Sequence, residues 1–173
     1  MFRRLPLIIA LGFLSIPAIP TAHAADGPTH CTWVFDVVGD PGLSTNPTSG
    51  TVVTNGETGT AACDGPVNGN KPSGAGTAGY DGKYGTKDGD TCQSGGEGGG
   101  TFSITIPTSA GAQQIKDTDN TYDYGAFNAG APFSGNFKGK RMSGTFDVQP
   151  LDGDCASKPV TKFRVTGKLT IDR

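Results

Sequence analysis

The segment KFRVTGKLTI, residues 162–171, decides the fold. Phe163, Val165, Gly167, Leu169 and Ile171 alternate with Lys162, Arg164, Thr166, Lys168 and Thr170. Apolar and polar residues that exchange at every step have the period of a β-strand with one dry face and one wet face. The same period runs through RMSGTFDV, where Met142, Gly144, Phe146 and Val148 alternate with Arg141, Ser143, Thr145 and Asp147. It recurs in TFSITI, where Phe102, Ile104 and Ile106 share a face.

Working outward, CTWVFDVVG is rich in β-branched and aromatic residues and stops at GDPG. TVVT and TAAC flank Asn55-Gly56, a pair suited to a tight turn. Residues 65–100 are polar and glycine-rich, with short strands expected around Tyr80 and Tyr84. SAGAQQIKD is the one place where a turn or two of helix is expected. With 28 glycines and 12 prolines the chain has material for many turns. These patterns predict an all-β antiparallel domain, a small β-barrel or β-sandwich.

The start of the chain, MFRRLPLIIALGFLSIPAIPTAHAAD, has two arginines, a short apolar stretch and the small-x-small pattern Ala22-His23-Ala24. That is the layout of a signal peptide. Residues 1–24 are therefore expected to be removed, leaving residues 25–173 as a single secreted domain, with retention at the cell envelope as an option. Net charge is −2 for the whole chain. Loss of Arg3 and Arg4 makes the remainder more acidic, so there is no electrostatic reason to bind nucleic acid or an anionic membrane. A monomer is expected, and the partner is unknown. The four cysteines, in an oxidising compartment, read as two disulfides. The preferred pairing is Cys31–Cys63, brought together by an antiparallel return, and Cys92–Cys155.

The glycine run SGGEGGG, residues 94–100, is not a phosphate-binding loop. Such a loop needs a helix after it and a lysine at its end, whereas a strand, TFSITI, follows this one. A flexible loop tethered by Cys92 is expected instead, with Glu97 in solvent. No cofactor pattern is present. His30, the histidine beyond the leader, lies near the new N-terminus on an expected tail, and no Gly-x-Ser-x-Gly elbow accompanies it. Glu57 and Glu97 are the candidates for a hydrolytic carboxylate pair, but nothing singles them out with a partner. DTDNTYD places Asp117, Asp119 and Asp123 in what reads as a loop. The glycine and glutamate of a calcium loop are missing, with Tyr122 and Asn128 in their places. No metal site is therefore assigned. No residue is assigned a catalytic role.

The ligand-contact candidates are Trp33, Tyr80, Tyr84, Gly135, Gly144 and Gly167. Tyr80 and Tyr84, like Tyr122 and Tyr124, are spaced to project on one side of an extended segment and stack on a sugar, or else to pack at a sheet edge. The glycines come from a hairpin, FSGNF-KGKR-MSGTF, with residues 138–141 as its loop. That register pairs Gly135 with Gly144, and a returning strand then brings Gly167 beside Gly144. Glycine weakens a strand, so such a row calls for a reason. It can serve a sharp coil of the sheet, a trough filled by Trp33, or a trough left for a ligand.

Ser143-Gly144-Thr145-Phe146, Gly153-Asp154-Cys155, Pro159-Val160-Thr161 and Gly167-Lys168-Leu169-Thr170-Ile171 give the C-terminal third its family likeness. It resembles the end of uncharacterised small secreted proteins of actinobacteria. The resemblance implies export and a β fold, and no activity. The function expected from the sequence is that of a secreted or envelope-associated non-enzymatic protein. A small-ligand or carbohydrate-binding β-barrel is the alternative, and a hydrolase using an Asp/Glu pair comes third.

Overall fold

A computed structural model of the protein describes residues 27–127 and 131–172. The expected leader and its cleavage site lie outside the described residues, as does Asn128. The described residues form strands β1 (Thr29–Leu43), β2 (Gly50–Val53), β3 (Gly59–Asp64), β4 (Gly76–Tyr84), β5 (Gly96–Thr108), β6 (Gly111–Tyr124), β7 (Phe133–Lys138), β8 (Met142–Pro150) and β9 (Val160–Ile171).

All pairings are antiparallel, and each strand from β4 to β9 pairs with the next in sequence. β1 pairs with β9 from Thr29↔Ile171 to Leu43↔Val160, which closes the sheet into a barrel. β2 and β3 share one place in the wall. β2 pairs with the second half of β1 and β3 with the first, and both pair with β4. They are one strand interrupted by residues 54–58. The expected turn at Asn55-Gly56 exists, with both residues at positive φ (58° and 98°). It is an excursion from the wall, because the strands on either side of it run in the same direction.

The disulfides are Cys31–Cys63 and Cys92–Cys155. Cys31 and Cys63 are direct cross-strand partners, the antiparallel return that the sequence suggested. Cys92–Cys155 ties the β4–β5 connection to the β8–β9 connection.

Three expectations need correcting. SAGAQQIKD is a turn followed by strand β6, because Ala112, Gln113, Gln114 and Ile115 are paired along β5. SGGEGGG is mostly strand, since Gly96 to Gly100 form the start of β5, paired along β6, with Gly98 to Gly100 paired on β4 as well. His30 lies within β1, opposite Asp64 and Thr170, and its Nδ1 is 3.1 Å from the Thr170 hydroxyl.

Inward-facing residues differ between the two ends of the barrel. At the end holding Thr29 and Ile171 they are aliphatic. Ile104, Ile106, Ile115 and Met142 are fully buried. Val67, from the β3–β4 connection, is fully buried beside them and stoppers that end. The stopper is held by the Thr29 hydroxyl donating to the Pro66 carbonyl and by Arg141 donating to Asn68 at 3.2 Å. At the other end the interior is aromatic.

The β7–β8 register also departs from expectation. Gly135 faces Phe146, Phe137 faces Gly144, and Phe146 faces Gly167. Relative to the expected hairpin the pairing has moved by two residues, so the faces are kept and the glycine row is broken. The cause is Asp117 of β6. Its buried carboxylate accepts the backbone N–H groups of Arg141 (2.7 Å) and Met142 (3.2 Å). A Cβ on Gly139 would collide with that carboxylate. The hairpin loop closes around Asp117, and the clasp sets the register.

Candidate functional site

The aromatic half of the barrel contains a cavity of about 100 Å³. Its wall includes Trp33, Phe35 and Val37 of β1, Tyr80 and Tyr84 of β4, Phe102 of β5, and Asn120, Tyr122 and Tyr124 of β6. Phe146 and Phe163 close the far side. No residue on the wall carries a charge. Trp33 stacks on Phe35 with centroids 4.6 Å apart and meets the edge of Phe102 at 5.1 Å. Tyr80 meets Tyr122 edge-on at 5.9 Å. These are ordinary attractive geometries for aromatic pairs.

Glycine makes room for the rings. A Cβ on Gly167 would strike the Trp33 indole, one on Gly135 the Phe146 ring, and one on Gly98 the Tyr122 ring. Cβ atoms on Gly82 and Gly100 would crowd the Tyr80 hydroxyl. Each of these glycines is a gap over which an aromatic ring lies, from a neighbouring strand at Gly98, Gly100, Gly135 and Gly167 and from the same strand at Gly82. Trp33 therefore fills the space over Gly167, as one of the sequence-based readings proposed. Gly144 has a different role. There a Cβ would run into the Lys168 carbonyl and the Leu169 Cα, so two backbones approach closely.

A glycine row does exist, in other strands. Gly39, Val52, Gly82, Gly100 and Asn120 are successive cross-strand partners from β1 to β6. Gly39 is the roomiest of them: a Cβ there would meet Phe163 at 3.6 Å, an ordinary contact. Val52 and Tyr122 are the half-buried side chains of the wall and mark its edge.

Asn120 faces inward because of a bulge. Gly100 pairs with Asn120 while Phe102 pairs with Asp117, so β6 carries one residue more than β5 across this stretch. The extra residue switches the parity, and Asp117 and Asn120 both become buried. Sequence reasoning missed Asn120, since DTDN reads as a polar loop. The inward spacing of Gly96, Gly98 and Gly100 at every second position was the signal that this run is a strand.

Among the described residues, three buried side-chain atoms have no hydrogen-bond partner, Trp33 Nε1, the Tyr80 hydroxyl and Asn120 Nδ2; their residues line the cavity, but its surface is wholly apolar. Their residues are 5%, 8% and 2% exposed. More than nine in ten buried polar groups in folded proteins are paired, so three orphans on residues of one wall stand out. Burial, then the charge of Asp81, pushes the Tyr80 hydroxyl above its ordinary pKa, which keeps it protonated.

The other tyrosines are engaged. Tyr84 donates to the Pro41 carbonyl, and burial with the charges of Asp90 and Asp40 pushes its pKa up to about 12. Tyr122 donates to the Lys83 carbonyl at 3.2 Å. Tyr124 donates to buried Asp90 at 2.9 Å, and Asp90 also accepts the Glu97 N–H at 3.1 Å. Burial raises the Asp90 carboxyl, against those two bonds, which lower it. The four tyrosines thus line the inside of a closed ring, where the sequence suggested a sugar platform or a sheet edge.

The acidic candidates do not converge. Asp117 is clasped by the β7–β8 loop, exposed Asp119 pairs with Lys140, and Asp123 accepts from Asn136 at 3.3 Å. They lie on strand β6, not in a loop. Among the described residues no group of three His, Cys, Asp or Glu side chains is placed to hold a metal ion. Glu57 accepts from Thr77 (2.6 Å) and from Gln114 (2.8 Å), beside Thr105. From Thr105 to Glu97 strand β5 extends about 26 Å at ~3.3 Å per residue. That separation exceeds the reach of a glycosidase carboxylate pair, at most ~9.5 Å.

No family model, curated protein or solved structure matches this chain. Fold and site together describe an antiparallel barrel with an aromatic, uncharged, partly hollow interior.

Proposed function

We propose that this chain is a secreted, non-enzymatic binding protein whose barrel takes a small apolar molecule into its aromatic end. The observation that carries the reading is the uncharged, apolar cavity of about 100 Å³ lined by aromatic rings in one end of the barrel. The aromatic lining and the small volume favour a single-ring compound. Action outside the cell is supported by the two disulfides, which fit a compartment other than the reducing cytosol, and by the leader-like start of the sequence. Among the described residues no helix is long and apolar enough to cross a membrane.

Trp33 is the only tryptophan in the chain, so its indole N–H gives a single reporter inside the site. Titration of ¹⁵N-labelled protein with a panel of neutral single-ring aromatics should shift that signal saturably for at least one compound. The same compound should raise the melting temperature. In Gly39→Leu the new side chain fills the cavity, and both effects should vanish while the fold is kept. If no compound shifts the indole signal up to its solubility limit, the binding reading is wrong.

A further inference from the structure

We infer that Asn55 is a modification site, where the folded protein spontaneously loses a side-chain amide and gains a carboxylate in the excursion between β2 and β3. The inference is independent of whether the barrel holds a ligand.

Asn-Gly occurs twice in the chain, at 55–56 and at 68–69. In both pairs the residues are exposed and at positive φ, 58° and 98° in the first, 48° and 78° in the second. Solvent access and backbone region therefore do not separate them. Hydrogen bonds do. Asn68 Oδ1 accepts from Arg141 at 3.2 Å, and its Nδ2 donates to Gln113 at 3.3 Å. The turn around it is closed by Val67 and Asn70, which exchange N–H···O bonds of 2.9 and 3.0 Å. Among the described residues nothing bonds to the Asn55 side chain or to the Gly56 N–H. The excursion is held at other points. Thr54 N–H donates to the Tyr80 carbonyl at 2.8 Å, the Thr54 hydroxyl donates to the Gly56 carbonyl, and Glu57 accepts from Thr77 and Gln114.

The chemistry needs what Asn55 and Gly56 have free. A base in solvent takes the Gly56 amide proton, and the nitrogen attacks Cγ of Asn55. A C–N bond forms, the bond from Cγ to Nδ2 breaks, and ammonia leaves with a proton from water. Water then opens the cyclic imide at either carbonyl, giving aspartate or isoaspartate at position 55. A side chain on the following residue would obstruct the attack. At Gly56 no atom lies within 4 Å of where a Cβ would be, and glycine leaves the backbone free to turn. The product is ionised at neutral pH, so the excursion that carries Glu57 gains a second negative charge.

The test incubates the folded protein in mildly alkaline buffer and follows both asparagines by peptide mass mapping, with enzymatic methylation of isoaspartate as a second readout. Asn68 has to give up two side-chain bonds and a bridged turn, so Asn55 should be modified about tenfold faster or more. In guanidinium chloride both pairs lose their surroundings, and the two rates should become similar. Arg141→Ala combined with Gln113→Ala frees the Asn68 amide and should bring its rate in the folded protein towards that of Asn55. Melting curves check that this variant folds, and Arg141→Ala alone carries that arm should it not. Asn55→Gln should abolish the acidic species that accumulates on ion exchange. Equal rates at the two positions in the folded protein, or modification at Asn55 only after unfolding, overturn the proposal.

Discussion

The two ends of this barrel are built from the same strands and solve different problems. The aliphatic end is close-packed: Ile104, Ile106, Ile115, Met142 and Val67 have no exposed surface, and a loop stoppers it. The aromatic end has rings laid over glycines, a cavity, and three donors without acceptors. Among the described residues, the buried side-chain groups without a partner all belong to the wall of the aromatic end. Local rules broken at one place and kept elsewhere along the same strands are what a functional site produces.

The sharpest way to break this comparison is to make one substitution at both ends. Gly144→Val drives a side chain into the Lys168 carbonyl and the Leu169 Cα, neither of which can turn aside. It should cost about 3 kcal/mol or more. Gly39→Val meets only ordinary contacts in the hollow end and should be neutral or stabilising. Equilibrium unfolding in urea measures both, and similar losses at the two positions would remove the distinction.

Next in size is a pair of truncations. Ile106→Ala opens a new hole in a packed region and should cost about 3–4 kcal/mol. Val37→Ala merely enlarges an existing one and should cost about half as much. A loss at Val37 equal to that at Ile106 would mean that the aromatic end is packed as tightly as the other.

Asp90 gives a pH test. Its carboxyl lies above the ordinary 3.8 because of burial, so the folded state holds this proton more tightly than the unfolded chain does. Stability linked to Asp90 is therefore present at low pH and is lost as pH rises through the raised value. Asp90→Asn removes that loss, and its stability relative to the parent should improve as pH rises above the ordinary carboxylate value. Asp152 acts in the opposite sense. Burial would raise it, but bonds from Thr161 and Lys162 hold it below the ordinary value, so its contribution disappears as pH falls. Unfolding curves of the two proteins over a pH series should show a constant difference if Asp90 is not raised.

The smallest effect is the most diagnostic. Tyr80→Phe deletes a buried hydroxyl that bonds to nothing and should stabilise the empty protein by up to about 1 kcal/mol. A loss of stability would show that the hydroxyl has a structural role after all.

Much of the fold was legible in the sequence. Alternation in residues 162–171 gave β9 and its faces, and the cysteines gave the Cys31–Cys63 return. These are signals carried by local spacing. The register of β7 on β8 was not legible, because it is set by Asp117, which is distant in sequence and buried from another strand. The site was legible only in part. Trp33, Tyr80 and Tyr84 were among the candidates, and all three line the cavity. Asn120 was hidden because a bulge reverses its parity, and no rule of alternation anticipates an inserted residue. The glycines 135, 144 and 167 were noticed for the right reason, their cost in a strand, and placed in the wrong row.

The seam between β1 and β9 has a consequence for how the molecule is made. The first and last strands are partners along almost their whole length, so their contacts span nearly the entire described chain. Loop-closure entropy for such contacts is met only when everything between is in place, and folds dominated by them form slowly. While the chain is being synthesised, β1 has its β2 and β3 partners but must wait for β9 with one edge bare. An unpaired edge is an invitation to wrong pairing. A nascent or truncated chain ending before Val160 would expose that edge along with the rings behind it. The twelve residues of β9 therefore decide whether the product is a sealed barrel or a sticky open sheet.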